Sequence, residues 1–287
     1  MLMTGATLLY LSPASLLASM QFIERQRAEL NLKQINVGDL SIHYYEGGPS
    51  DAQTILMVHG FAANKDNWLR FARHLPQDYR VIALDLPGFG ASSKPAGSYD
   101  VGTQTERLAG IIDALGGHIS TLYASRYPNR VASLALLDNA GITSPHPSEL
   151  RLRLQRGEAN PLVARSPEDF QRLLAFIFVK PPYLPESLKG YFAEQAASNS
   201  SHYDQVFAHL VERYVPLEPE LSKIQAPTLI IWGAEDCVLD VSSVEIMRPL
   251  LDKPSVVIMP NTGHAPMIEQ PQLTAQHYRA FLKALVQ

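Results

Sequence analysis

Asp236 and His264 are the two residues whose types and setting point most directly to chemistry. Asp236 closes Gly233-Ala234-Glu235-Asp236, after the apolar run Thr228 to Trp232. His264 sits in Asn261-Thr262-Gly263-His264-Ala265-Pro266, after the run Ser255 to Met259. The C-terminal ends of parallel strands are where α/β active sites assemble. A carboxylate that orients an imidazole makes it a general base able to take a proton from a hydroxyl. Alone, such an Asp is a helix cap or loop residue, and such a His is a surface or hydrogen-bonded one. Their joint placement, 28 positions apart, gives the pair its weight.

Two further segments follow apolar runs. His59-Gly60-Phe61-Ala62 comes directly after Thr54 to Val58. Its small residues let a backbone N–H point into a cleft and stabilise a developing oxyanion. The same residues also read as a plain strand-to-helix turn, with Trp68 placed to pack beneath it. Asp85-Leu86-Pro87-Gly88-Phe89-Gly90-Ala91-Ser92 follows Arg80 to Leu84 as a rigid Pro/Gly loop. Gly88 and Gly90 lack the third glycine of a dinucleotide fingerprint, so this loop is read as structural.

The elements that must position these residues show in the periodicity. Thr54–Val58, Arg80–Leu84, Val131–Leu137, Thr228–Trp232 and Ser255–Met259 are short aliphatic runs without strict alternation. That is the pattern of parallel strands covered on both faces. Gln34–Val37 and Leu40–Tyr45 flank Gly38-Asp39 as an antiparallel hairpin. Gly102–Leu115 carries Leu108, Ile111, Ile112 and Leu115 at helical spacing, and His118–Tyr127 ends before Pro128. Asn67–His74 and Gln272–Val286 complete the helices of this part. Strands alternating with helices predict an α/β fold around a mostly parallel sheet. From Gly141 to Ser222 the strand pattern stops. Segments such as Glu168–Val179 and Ser187–Ala197 predict a helical insertion over the sheet edge.

Composition narrows the possible partners. The 287 residues, 46% hydrophobic and 18% charged, suffice for one large domain or a core with an insertion. A net charge of -4 with no basic run argues against nucleic acid. The single cysteine, Cys237, excludes an internal disulfide and a multi-thiolate metal site. Residues 1–20 carry no charged side chain, and Leu8 to Met20 are mostly apolar. The stretch is interrupted by Pro13 and is shorter than the roughly 20 apolar residues of a membrane span. Three readings stand: an uncleaved signal-anchor, a signal peptide shorn of its basic start, or a plain apolar helix. The expected location is secreted, periplasmic or membrane-anchored in preference to cytoplasmic, with membrane association through residues 5–20.

In order along the chain, HGFAANKDNW, LDLPGFGAS, WGAEDCVLD and GHAPMIEQP resemble four loops of the α/β-hydrolase superfamily. They are similar to its oxyanion loop, the loop after the next strand, its acid loop and its base loop. The resemblance runs from about Lys33 onward. With the apolar N-terminus, the hairpin and RYPNRVASLALLDNAGI, it is closest to bacterial lipases and esterases with a hydrophobic leader. It implies an α/β-hydrolase fold with helices on both faces of the sheet and a lid over the cleft. The implied division is a leader and charged helix (1–30), a first core part (31–140), a helical cap (141–222) and a second core part (223–287). It also implies hydrolysis of lipid or acyl esters without cofactor or metal, through a serine nucleophile. Asp236 would be the acid, His264 the base and the N–H of Phe61 one oxyanion donor.

The nucleophile itself is where the sequence departs from the family. The family carries it in G-x-S-x-G, on a strained turn between a central strand and a helix. No such pentapeptide occurs in this chain. The helix ending at Leu115 runs through Gly116-Gly117 straight into the segment that normally follows the elbow, as if a strand and most of its turn, roughly a dozen residues, were deleted. Ser120 is the nearest substitute hydroxyl but is expected on a helix. Ser92 and Ser93 belong to the structural loop, and nothing in the sequence activates Cys237. The expected state is an ester hydrolase by lineage, inactive or severely impaired. A non-catalytic binder of an apolar acyl ligand is the alternative from another class. Epoxide hydrolases and dehalogenases of the same superfamily carry their Asp on the same absent elbow.

Overall fold

The computed structural model describes residues 12–115 and 121–286. Strands β1 (Asn31–Val37) and β2 (Leu40–Gly47) form the hairpin, turning at Gly38 with φ +57°. The outer face of β2 then pairs antiparallel with β4 (Arg80–Leu84), and β4 pairs parallel with β3 (Thr54–Val58). This gives a four-stranded sheet in the order β1-β2-β4-β3. A second, wholly parallel sheet has the order β5-β6-β7, from β5 (Leu134–Leu137), β6 (Thr228–Gly233) and β7 (Ser255–Met259). Every residue of β6 is buried, as an apolar central strand with cover on both faces should be.

The helices that follow the strands are α2 (Leu69–Ala72), α3 (Val101–Leu115), α4 (Thr121–Arg126), α10 (Ser243–Met247), α11 (Pro266–Glu269) and α12 (Pro271–Ala284). Helix α1 (Pro13–Arg27) precedes them, its first turn capped by Ser12, whose hydroxyl accepts from the Ser15 N–H. Helices α5 (Glu149–Gln155), α6 (Pro167–Ile177), α7 (Glu186–Ser198), α8 (Ser200–Glu212) and α9 (Glu218–Leu221) fill the stretch between β5 and β6. Two cores result, one on each side of the strands. Ile111, Ile112 and Tyr123 pack with Ile230 and Trp232 on one side; Phe71, Ala275 and Phe281 pack with Leu229 and Ile231 on the other. This is the α/β-hydrolase architecture expected from the sequence, with helices on both faces.

Local boundaries differ from the sequence reading for identifiable reasons. The run Val131–Leu137 becomes a strand only at Leu134. Residues Pro128–Arg130 form a 3-10 turn, and ladder pairing starts where Leu134 donates to Pro227 and faces Thr228. The helix expected over Asn67–His74 splits into a 3-10 turn at Lys65–Trp68 and the single turn α2. The former is fixed by the Asn64 side chain, which accepts from the Asp66 N–H. The expected helix His118–Tyr127 is described from Thr121; Gly116, Gly117 and Ser120 lie outside the described residues, as do residues 1–11 of the apolar leader. Among the described residues, no helix is long and apolar enough to cross a membrane.

Among the described residues the two sheets do not join. Among the described residues no strand pairs with the outer edge of β3 or of β5. Both edges line one cavity of about 130 Å³, together with Trp68, Phe71, Tyr278 and Leu282. Neither edge carries a charge or a proline of the kind that guards free strand edges. A sheet in this position is ordinarily continuous, so each edge leaves backbone groups without a ladder partner.

Candidate active site

Parallel pairing of β6 and β7 sets Gly233 opposite Met259, so the loops after these strands leave the sheet side by side. Two glycines then allow them to touch. A Cβ on Gly233 would run into the carbonyl oxygens of Gly263 and Thr262, and a Cβ on Gly263 into the carbonyl of Ile177 at the end of α6. The loop of His264 is tied down on three sides. The His264 N–H donates to the Ile177 carbonyl at 2.8 Å, the Gly263 N–H to Glu269 Oε2 at 2.8 Å, and the Thr262 N–H to Glu235 Oε2 at 3.0 Å.

This framework brings Asp236 and His264 together, with Nδ1 of the imidazole 2.8 Å from Oδ2 of the carboxylate. The Asp236 side chain is fully buried. Its other oxygen accepts the N–H groups of Val238 at 2.7 Å and Leu239 at 3.0 Å. An acceptor at Nδ1 fixes the neutral tautomer with its proton on Nδ1 and its lone pair on Nε2. The imidazole is partly exposed, and among the described residues no hydroxyl or thiol bonds to Nε2. An imidazole held in this way can accept a proton at Nε2 from a hydroxyl brought within hydrogen-bonding reach.

The turn after β3 carries Phe61 and Ala62, the latter at φ +54°. No acceptor among the described residues takes the Phe61 N–H, while its ring meets Phe89, Tyr203 and Phe207 edge-on. Phe61 therefore has its partners on α8 and on the loop after β4 rather than on the Asp236–His264 pair. His59 is buried and structural: Nδ1 bonds to the Gly60 carbonyl at 2.8 Å, Nε2 accepts the Leu86 N–H at 3.0 Å, and burial lowers its pKa.

The hydroxyls of Ser92 and Ser93 and the thiol of Cys237 are otherwise engaged. The Ser92 hydroxyl donates to the Asp85 carbonyl at 2.8 Å and accepts from His43 N–H; Ser93 accepts from Ser41 N–H. Burial raises the pKa of the Cys237 thiol, and the nearby Asp236 raises it further, so the reactive thiolate is disfavoured. Ser120 lies outside the described residues.

Sequence reasoning missed two buried groups. One is the ion pair of Lys65 and Asp85, which holds the loop after β4: the carboxylate takes Lys65 Nζ at 2.8 Å and the N–H groups of Lys65 and Ala91. Gly90 sits on that carboxylate so closely that no Cβ fits. The other is Asp138, the first residue past β5, buried at φ +45°. Its Oδ1 accepts the Gly233 N–H at 2.8 Å, and its Oδ2 is buried without a partner. Burial and then Asp236 raise its pKa well above the usual carboxylate range. The available signal was positional: Asp85 follows β4 directly, and Asp138 and Asp236 follow the parallel neighbours β5 and β6.

The model of the alpha/beta hydrolase family matches residues 55–277. Lipase 1 of Psychrobacter immobilis is 35% identical over 280 residues, covering 91% of this chain and 87% of the relative. Lipase 3 of Moraxella sp. (strain TA144) is 34% identical over 279 residues, with 91% and 88% covered. A crystal structure of a membrane phospholipase A, described as a bacterial virulence factor, superposes with a TM-score of 0.93 at 56% identity, covering 96% of this chain and 93% of that one.

The two glycines give a direct test of the framework. Gly233→Ala forces backbone against backbone and is expected to destabilise by about 1–3 kcal/mol in urea denaturation. Gly190→Ala, in α7 with open space around it, is expected to stabilise by up to about 1 kcal/mol. Equal effects at the two positions would contradict the packed contact between the acid and base loops.

Proposed function

This chain belongs to the alpha/beta hydrolase family, and on that premise we propose that it is a lipid-ester hydrolase by lineage that retains acid and base but lacks a serine nucleophile. The single observation that carries the reading is the 2.8 Å contact of His264 Nδ1 with Asp236, with no hydroxyl among the described residues at Nε2.

In the chemistry proposed for the lineage, Nε2 takes a hydroxyl proton as the oxygen attacks the ester carbonyl. Backbone N–H groups, that of Phe61 among them, hold the oxyanion, and the imidazolium returns the proton to the leaving alcohol. Water then repeats the sequence on the acyl-enzyme. Helices α5–α9 are the proposed cap, with α8 laid over Phe61 and Phe89 through Tyr203, and His202 Nε2 2.8 Å from the Gly88 carbonyl. Without G-x-S-x-G the first proton has no donor. Loss of a triad nucleophile costs on the order of 10⁶ in turnover.

Two observations support an absent segment. One is the unbridged cavity between β3 and β5. The other is the match to Lipase 1, which extends over 280 residues yet takes up 91% of the 287 here, so that relative has residues with no counterpart in this chain. The protein is expected to resist stoichiometric labelling by a fluorophosphonate probe and to leave short-chain p-nitrophenyl esters essentially unhydrolysed. Stoichiometric labelling, with turnover abolished by His264→Ala, would overturn the proposal.

The proposed setting is a membrane surface, reached through residues 5–20. Exposed Phe22 and Ile23 beside Arg25 and Arg27 on α1 support it, since aromatic, aliphatic and basic side chains together favour a lipid interface. Flotation of the full chain with anionic vesicles, lost when residues 5–20 are removed, is expected. Equal flotation of both forms counts against it.

A further inference from the structure

We infer that Asp138 is a neutral carboxylic acid whose Oδ2–H donates to Asp236, making Asp138 the positioning residue for the acid of the pair. The inference rests on the proposed role of Asp236 as that acid.

Two buried carboxyl groups meet behind His264. Asp138 lies on the loop after β5 and Asp236 on the loop after β6, within hydrogen-bonding reach of each other, and each is almost wholly removed from water. Like charges at this range and depth cannot both be kept, so the pair shares one proton. The hydrogen bonds decide where that proton sits. Asp236 receives two backbone N–H groups on Oδ1 and the imidazole N–H on Oδ2, so both of its oxygens already act as acceptors. Asp138 receives one N–H, from Gly233, on Oδ1. Its Oδ2 is buried with no donor facing it. A buried carboxylate oxygen without a donor is costly, whereas a protonated one turns the same atom into the donor Asp236 can accept.

The charged surroundings agree with that assignment. The ionisable groups acting on Asp138 are the carboxyls of Asp236 and, from α11, Glu269, with His264 beyond Asp236. The proton thus neutralises the inner carboxyl and leaves a single negative charge beside the imidazole. The left-handed backbone at Asp138 aims its side chain at the Gly233 turn, and Asp and Asn are the residues that tolerate that conformation with a short polar side chain.

The sign of the pH effect follows from linkage. A carboxyl held neutral in the fold is ionised in the unfolded chain above about pH 4, so the unfolded state binds fewer protons and stability falls as pH rises. Asp138→Asn keeps an acceptor for Gly233 and a fixed donor for Asp236 while removing the titration. The unfolding constant of the native chain, divided by that of the variant, is expected to grow by up to about tenfold per pH unit between about pH 5 and about pH 8 in urea denaturation. A ratio that stays flat across this range would overturn the inference.

A second measurement uses the native chain and needs no variant to be stable. With ¹³C-labelled aspartate, the Asp138 carboxyl carbon should keep its carboxylic-acid shift and a deuterium isotope shift at about pH 7, well above the ordinary carboxylate titration. A carboxylate shift at that pH refutes the proposal. Neither readout depends on ester turnover, so failure here and failure of the ester-hydrolase reading are separate results.

Discussion

The backbone contact between Gly233 and Gly263 is the constraint on which the site depends. Asp236 and His264 are far apart in sequence, and pairing of β6 with β7 brings their loops only into the same neighbourhood. Closing the last distance requires the turn after β6 to slide under the carbonyls of Thr262 and Gly263, a space that admits no Cβ. The same turn donates its Gly233 N–H to Asp138, and the His264 loop is pinned to α6 through Ile177. One glycine-to-glycine approach therefore joins four elements: the loops after β5, β6 and β7 and the end of a helix from the insertion. The imidazole orientation is inherited from the backbone, which is how a preorganised base avoids reorganisation during proton transfer.

The two sheets support different parts of the site. The second sheet, with β6 buried along its whole length, carries the loops of Asp236 and His264, and Leu229, Ile231 and Met259 pack in one core with Ile55, Met57 and Ala83 of the first. The first sheet supports the Phe61 turn and, through the buried Lys65–Asp85 pair, the loop beside it. On the proposed reading, a continuous sheet would add between them a strand whose end carries a nucleophile toward Nε2, and the cavity lined by β3 and β5 is the proposed place of that strand.

Much of this was legible in the residues. Uninterrupted aliphatic runs located the strands, because a buried parallel strand has no polar face to reveal alternation. Residue type and position past a strand end singled out Asp236 and His264 before any geometry was known. Other features depend on contacts between segments distant in sequence. The start of β5 is set by Pro227 and Thr228 across the ladder and not by Val131, which is as β-prone as the residues that do pair. Lys65 carries no signal of its own in the sequence, and its role shows only once Asp85 is placed beside it. Asp138 resembles a turn residue until its second oxygen is found buried beside another carboxylate.

The central claim is that this chain holds a competent base and acid with no hydroxyl delivered to them. The most direct test replaces residues 116–120 by a branched-aliphatic strand and turn of about a dozen residues ending in G-x-S-x-G. The account predicts that the serine form hydrolyses short-chain esters at least roughly 10³-fold faster than both the unaltered chain and the same insert with alanine in place of serine. A folded serine form with no gain, or an unaltered chain that already turns over at the same rate, would contradict it.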